Sequence, residues 1–184
     1  MRQHATFWAM TFAGVLLFFS GCILPDKFTF SSDINCPAVC QVGAAWNNKV
    51  IYAPDPTRNG TPAPGIAGRL YLFGAVADFP FIGDGSLVVD MYDDTVRPGE
   101  TLPSGGKQIE EWRIDPVTFK KLAKKDTIGE GYTVFLPWGT YRPEIRNVHL
   151  VTRYEPAHGM PIYAAPNTLL IDHGTPPPGV TPPQ

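Results

Sequence analysis

Between residues 47 and 172 the chain is cut into short runs rich in β-branched and aromatic residues, each bounded by Gly, Pro or Asp. The runs are KVIYA (49–53), GRLYLFG (68–74), SLVVDMYD (86–93), QIEEWRI (108–114), YTVFLPW (132–138), NVHLVTRYEP (147–156) and TLLID (168–172). Strands put alternate residues on opposite faces, so apolar/polar alternation marks a half-buried strand. The clearest case is 147–156. Val148, Leu150, Thr152 and Tyr154 fall on one face, and His149, Val151 and Arg153 on the other. In 68–74, Leu70 and Leu72 oppose Tyr71 and Phe73; in 132–138, Tyr132, Val134 and Leu136 share a side. Many short strands with turn residues between them argue for two packed antiparallel sheets rather than a βαβ sheet. The expected fold is all-β, an immunoglobulin-like antiparallel sandwich over residues 47–172. One short crossover helix is expected near 116–124. Asp115 can cap it, Pro116 suits its first turn, Phe119 and Leu122 can face the sheets, and Lys120, Lys121, Lys124 and Lys125 lie toward its C-terminal end.

Ahead of this domain, Met1 to His4 is short and polar with one fixed positive charge, Arg2, and residues 5–19 form an uncharged apolar run. The run is shorter than the roughly 20 residues a membrane-spanning helix needs, and it has the length of a secretory apolar region. The segment that follows, FSGC (19–22), resembles the lipobox of bacterial lipoproteins. The resemblance implies cleavage before Cys22 and acylation of its thiol. Phe19 stands where Leu is commonest, and an ordinary signal peptide or an uncleaved anchor is the alternative. Residues 1–21 are thus expected to be a lipoprotein signal peptide. Their loss removes Arg2 and no acid, moving the formal balance from −2 to −3. That is neither a basic surface for nucleic acid nor an acidic tail.

Residues 22–46 are expected to form a lipidated tether carrying Cys36 and Cys40. Outside the cytosol a close even pair is most simply a disulfide; free thiols and metal or redox chemistry are the alternatives. Residues 173–184, HGTPPPGVTPPQ, should be a disordered, extended polyproline-like tail.

No catalytic signature stands out. His149 lies on the outer face of its strand, His158 in a Gly-containing turn, and His173 at the start of the tail. No two of them have zinc-ligand spacing, and GDGS (83–86) lacks the glycine pattern of a nucleophile elbow. Asp84 and Asp93 flank one strand. At ~3.3 Å per residue they are held roughly 25–30 Å apart, so turn formation accounts for them better than a shared cation. No metal or cofactor is expected. The lysines at 120–125 suit phospholipid headgroups, an acidic polymer, or simply solvent. LPWGTYRPE (136–144) has another character: Gly and Pro stiffen a loop that holds Trp138, Tyr141 and Arg142. Aromatics with an arginine on a rigid loop are the usual material of a recognition surface. These three residues are the candidate partner-binding set, with Trp138 as a plug of the core the competing outcome.

The segments DGSLVVDMYD, EEWRIDPVTFKKLAKKD, GYTVFLPWGTYRPEI and LVTRYEP together resemble uncharacterised bacterial lipoproteins of planctomycete type, over about residues 46–172. The resemblance implies the cell envelope, with the chain held by acylated Cys22 and facing the periplasm or the cell surface, and it brings no residue-level activity. Two classes of function are expected. The first is a non-catalytic binding or structural protein of the envelope, with a protein or polysaccharide partner. The second is an accessory subunit or hydrolase whose active groups converge only in three dimensions.

Overall fold

The computed structural model describes residues 39–55, 59–75, 79–101 and 103–175, all within one compact unit, Asn35–Gln184. Its strands are β1 (Gln41–Trp46), β2 (Ile51–Pro54), β3 (Pro62–Phe73), β4 (Ser86–Asp93), β5 (Lys107–Ile114), β6 (Ala123–Lys125), β7 (Glu130–Pro137), β8 (Asn147–Glu155), β9 (Ile162–Tyr163) and β10 (Asn167–Leu170). Helix α1 (Pro116–Lys121) stands between β5 and β6. The first sheet runs β1-β3-β7-β6 with β2 also on β3; the second runs β10-β8-β4-β5 with β9 also on β8. All these pairs are antiparallel. The protein is an all-β sandwich, and α1 carries the chain from the second sheet to the first.

The alternation read in the sequence is the alternation of burial. Val148, Leu150, Thr152 and Tyr154 are fully buried, as are Leu70, Leu72, Tyr132 and Val134. Leu87, Val89 and Met91 of β4 lie beside the β8 residues in the same sheet and face Leu70, Leu72, Tyr132 and Val134 across the interior. Trp46 Nε1 donates across the two sheets to Thr152 Oγ1 (3.2 Å), which satisfies a polar pair inside an apolar core. β4 is buried on both faces. Its outward Asp90 accepts from Gln108 Nε2 (3.1 Å) and is ion-paired with Arg153, so a carboxylate in this setting is compensated.

The strand register gives the sandwich two distinct ends. At one, which we call the helix end, lie Phe73, Ser86, Ile114, Glu130 and Glu155. At the other, the loop end, lie Pro62, Asp93, Lys107, Pro137 and Asn147. Helix α1 closes the first. Asp115 Oδ1 accepts from the Val117 and Thr118 amides (both 3.0 Å), satisfying donors that a helix start leaves open. Phe119 is buried flat against Tyr132, with centroids 3.8 Å apart. The Tyr132 hydroxyl accepts from Gly83 N and the Tyr154 hydroxyl from Gly85 N, each at 2.7 Å. Gly85 sits so close to the Glu155 carbonyl that a side chain there has no room.

Three expected boundaries move. The tether over 22–46 already contains β1, because Gln41–Trp46 pairs with Gly68–Phe73 and buries Val42 and Trp46. The helix stops at Lys121 rather than 124: Ala123–Lys125 pairs with Glu130–Tyr132 instead, and an edge strand accommodates exposed lysines as readily as a last helical turn does. The tail does not begin at His173. Asp172 bridges Lys49, and the His173 ring packs edge-on against Tyr141, 5.6 Å between centroids. The expected signal peptide over residues 1–21, Cys22 and Cys36 lie outside the described residues. Cys40 is disulfide-bonded; its expected pairing with Cys36 lies outside them too.

Candidate functional site

At the loop end two connections face each other, the β4–β5 loop and the β7–β8 loop. Between them opens a cleft of about 430 Å³ lined by Asp93, Arg97, Glu100, Lys107, Gln108, Ile109, Thr140, Arg142, Glu144 and Ile145. Both walls are tied down by side-chain bonds to backbone. Thr95 Oγ1 accepts from the amides of Arg146 (2.9 Å) and Asn147 (3.1 Å), joining the β4–β5 loop to the start of β8. Glu110 Oε2 accepts from Thr140 N (2.9 Å) and Thr140 Oγ1 (2.8 Å), and Trp112 Nε1 donates to the Pro137 carbonyl (2.8 Å). These bonds hold the β7–β8 loop against β5.

The cleft carries three bases and three acids, engaged unequally. Arg97 reaches Asp93 at 2.7 Å and Glu100 at 3.5 Å. Asp93 also accepts from the Thr95 amide at 2.9 Å, the local turn bond that the sequence suggested for this residue. Among the described residues Lys107, Arg142 and Glu144 make no ion pair, so two cations stand open to the cleft.

Burial opposes ionisation of Asp93, but the bonds from Arg97 and Thr95 outweigh it and hold its carboxyl below the usual carboxylate range. A pKa lowered on folding contributes stability that is present above the unfolded value and lost as the pH falls through the folded one. Thermal melts should therefore show the parent losing more stability than Asp93→Asn on acidification below about pH 4. Parallel losses in the two proteins would show that the pair contributes nothing.

The loop singled out in the sequence is the one that builds the cleft, but two of its three candidate residues are not offered to a partner. Trp138 is 1% exposed and Tyr141 4%. Their rings meet edge to face at 5.3 Å, and Trp138 Nε1 donates to Thr140 Oγ1 (3.1 Å). They are the floor of the loop, packed because a single sandwich leaves its large aromatics no better place to escape water. Burial pushes the Tyr141 hydroxyl up to about 12, with Tyr52 adding to the effect. Tyr141 Oη lies 3.0 Å from His173 Nδ1. Arg142 alone of the three is exposed and lines the cleft. Lys107, Arg97, Thr140 and Glu144 went unnoticed in the sequence, since polar loop residues carry no local sign of convergence.

On the outer face of the second sheet His149 Nδ1 lies 2.6 Å from Asp94 Oδ2, and its ring stacks on Tyr92 at 4.7 Å. This pair has a histidine and a carboxylate together, but it does not line the loop-end cleft. Among the described residues no group of three or more His, Cys, Asp and Glu gathers in a way that could hold a metal ion. Compared with protein families, curated proteins and solved structures, the chain finds no match.

Proposed function

We propose that the protein is a lipid-anchored envelope protein of non-catalytic binding type, held on a membrane through acylated Cys22 and presenting the loop-end cleft to a polar, charged partner, an envelope protein or polysaccharide. The observation that carries this reading is the combination in one cleft of unpaired Arg142 and Lys107 with walls already fixed by Thr95, Thr140 and Glu110. A rigid wall loses little entropy when a partner orders against it, and an open guanidinium gives a planar donor fork. The described residues begin at Val39, and the amide of Cys40 next to it bonds the Phe73 carbonyl (2.8 Å) at the helix end. The cleft is at the far end of the strands from that point, which suits a recognition surface turned outward.

Two measurements test the proposal. Mass spectrometry of the membrane-bound protein should find an acylated Cys22 as the first residue; an intact Met1 or a bare thiol removes the anchor. Capture from native membranes should then be compared between the parent and the double variant Arg142→Ala, Lys107→Ala. A partner retained by the parent should be lost or weakened tenfold or more in the variant, about what truncation of a binding arginine costs. Equal capture by both removes the cleft from consideration.

A further inference from the structure

The helix end has a surface of its own. Of the seven large apolar side chains that stand exposed among the described residues, four, Phe79, Val117, Ile128 and Met160, belong to this end, on four different connections, while Val96 and Leu170 lie at the loop end and Tyr163 on β9. Phe79 and Ile128 sit on touching loops, since a Cβ on Gly129 would come within 2.9 Å of Pro80. Val117 and Lys120 share an open hollow with Ile82 and Asp84. Gly85, beside Asp84, packs so closely on Pro156 that a Cβ there would come within 2.7 Å of it, at the start of the loop that carries Met160. Exposed Lys120, Lys121, Lys124 and Lys125 border these residues, and none makes an ion pair among the described residues. Most acids of this end are occupied. Asp126 is held by Arg69 and Tyr71, Glu155 by Arg113 and Arg153, and Asp84 by the Tyr154 hydroxyl, while Asp115 caps α1. Asp84, Asp115 and Glu130 keep charges that no arginine neutralises, so among the described residues of this end three such carboxylates stand against the four lysines.

We infer that the helix end docks on an anionic lipid surface. Single exposed apolar residues are ordinary on any protein. Four at one end, bordered by four open lysines and placed where the described residues begin, make the pattern of an interfacial contact. The apolar tips enter the headgroup layer and the ammonium groups meet anionic lipid. Docking this way fixes the sandwich upright on the membrane and turns the loop-end cleft away from it, so that acylation supplies the attachment and the helix end supplies the orientation.

The test is hydrogen exchange on the full chain added to vesicles of phosphatidylcholine, with and without a minority of phosphatidylglycerol. Pelleting with phosphatidylcholine alone reports the acyl anchor; the difference between the two lipids reports docking. With phosphatidylglycerol, exchange should slow in residues 79–85, 116–121, 126–130 and 157–161 and stay unchanged in 94–101 and 138–146. Lys120→Glu, Lys121→Glu, Lys124→Glu and Lys125→Glu together should remove the slowing, since losing each positive charge alone lowers the docking constant about fivefold and the new negative charge lowers it further. Should that variant misfold, salt on the unaltered chain gives the same answer, because near 1 M the Debye length is only ~3 Å. Exchange that is equal in both lipids, slowing at the loop end instead, slowing that survives reversal or high salt, or a chain that pellets with neither lipid would each overturn the proposal.

Discussion

Trp138→Ala should cost the domain about 3–5 kcal/mol, the range for deleting a buried Trp or Phe ring. The indole is almost wholly enclosed, it meets the Tyr141 ring at 5.3 Å, and its N–H is taken by Thr140. Alanine leaves a ring-sized void and frees Thr140 from one of its bonds. Its neighbours cannot collapse into the gap, since the loop backbone is pinned by the Trp138 amide on the Pro64 carbonyl (2.7 Å). Natural domains have roughly 5–15 kcal/mol in total, so this loss is a large fraction and should lower the melting temperature by ~10 °C or more. Arg142→Ala in the same loop is the control, because an exposed side chain outside any ion pair should change stability by less than ~0.5 kcal/mol. Calorimetry on the two variants separates the roles. If both melt alike and near the parent, Trp138 is not a core residue; if both fall together, Arg142 is structural and its place in the cleft is not a binding role.

Phe119→Ala should be as severe, again ~3–5 kcal/mol, and its damage should be confined to the other end of the molecule. Phe119 closes the helix end by stacking on Tyr132 and leaning on Tyr154 at 6.3 Å. Those two tyrosines fix Gly83 and Gly85 through their hydroxyls, so a void beneath them loosens that loop as well. Amide exchange at Gly83 and Gly85 should rise in the variant while the amides of Arg146 and Asn147, held by Thr95, keep their protection. Val117→Ala, two residues away on the exposed side of the helix, should be close to neutral. Loss of protection spread evenly over both ends would mean that Phe119 supports the sandwich as a whole rather than plugging one end.

What the sequence determined by itself were the local features whose cause is local. The period of two in 86–93 and 147–156 becomes β4 and β8 because a pleated strand turns every second residue inward, whatever its neighbours are. Asp115 starts α1 because its carboxylate reaches amides only two and three residues ahead. Asp93 makes a turn for the same reason. Where the cause was distant, the chain alone was silent or misleading. QVGAAW has little strand character, and it is a strand because β3 offers an open ladder and Gly68 leaves space for the Trp46 ring. Lys124 and Lys125 suit a helix end and an edge strand equally, and the pairing with β7 chose the strand. Trp138 and Tyr141 look alike whether they face water or protein; only the closing of the two sheets over Ile145, Val148 and His173 put them inside. The cleft is the extreme case. Lys107 begins β5 and Arg142 lies on the crossing from β7 to β8, and they meet only because antiparallel register brings the ends of β4, β5, β7 and β8 to one end of the sandwich. Burial and convergence depend on what packs against a residue, and that is a property of the assembled core rather than of any window of the chain.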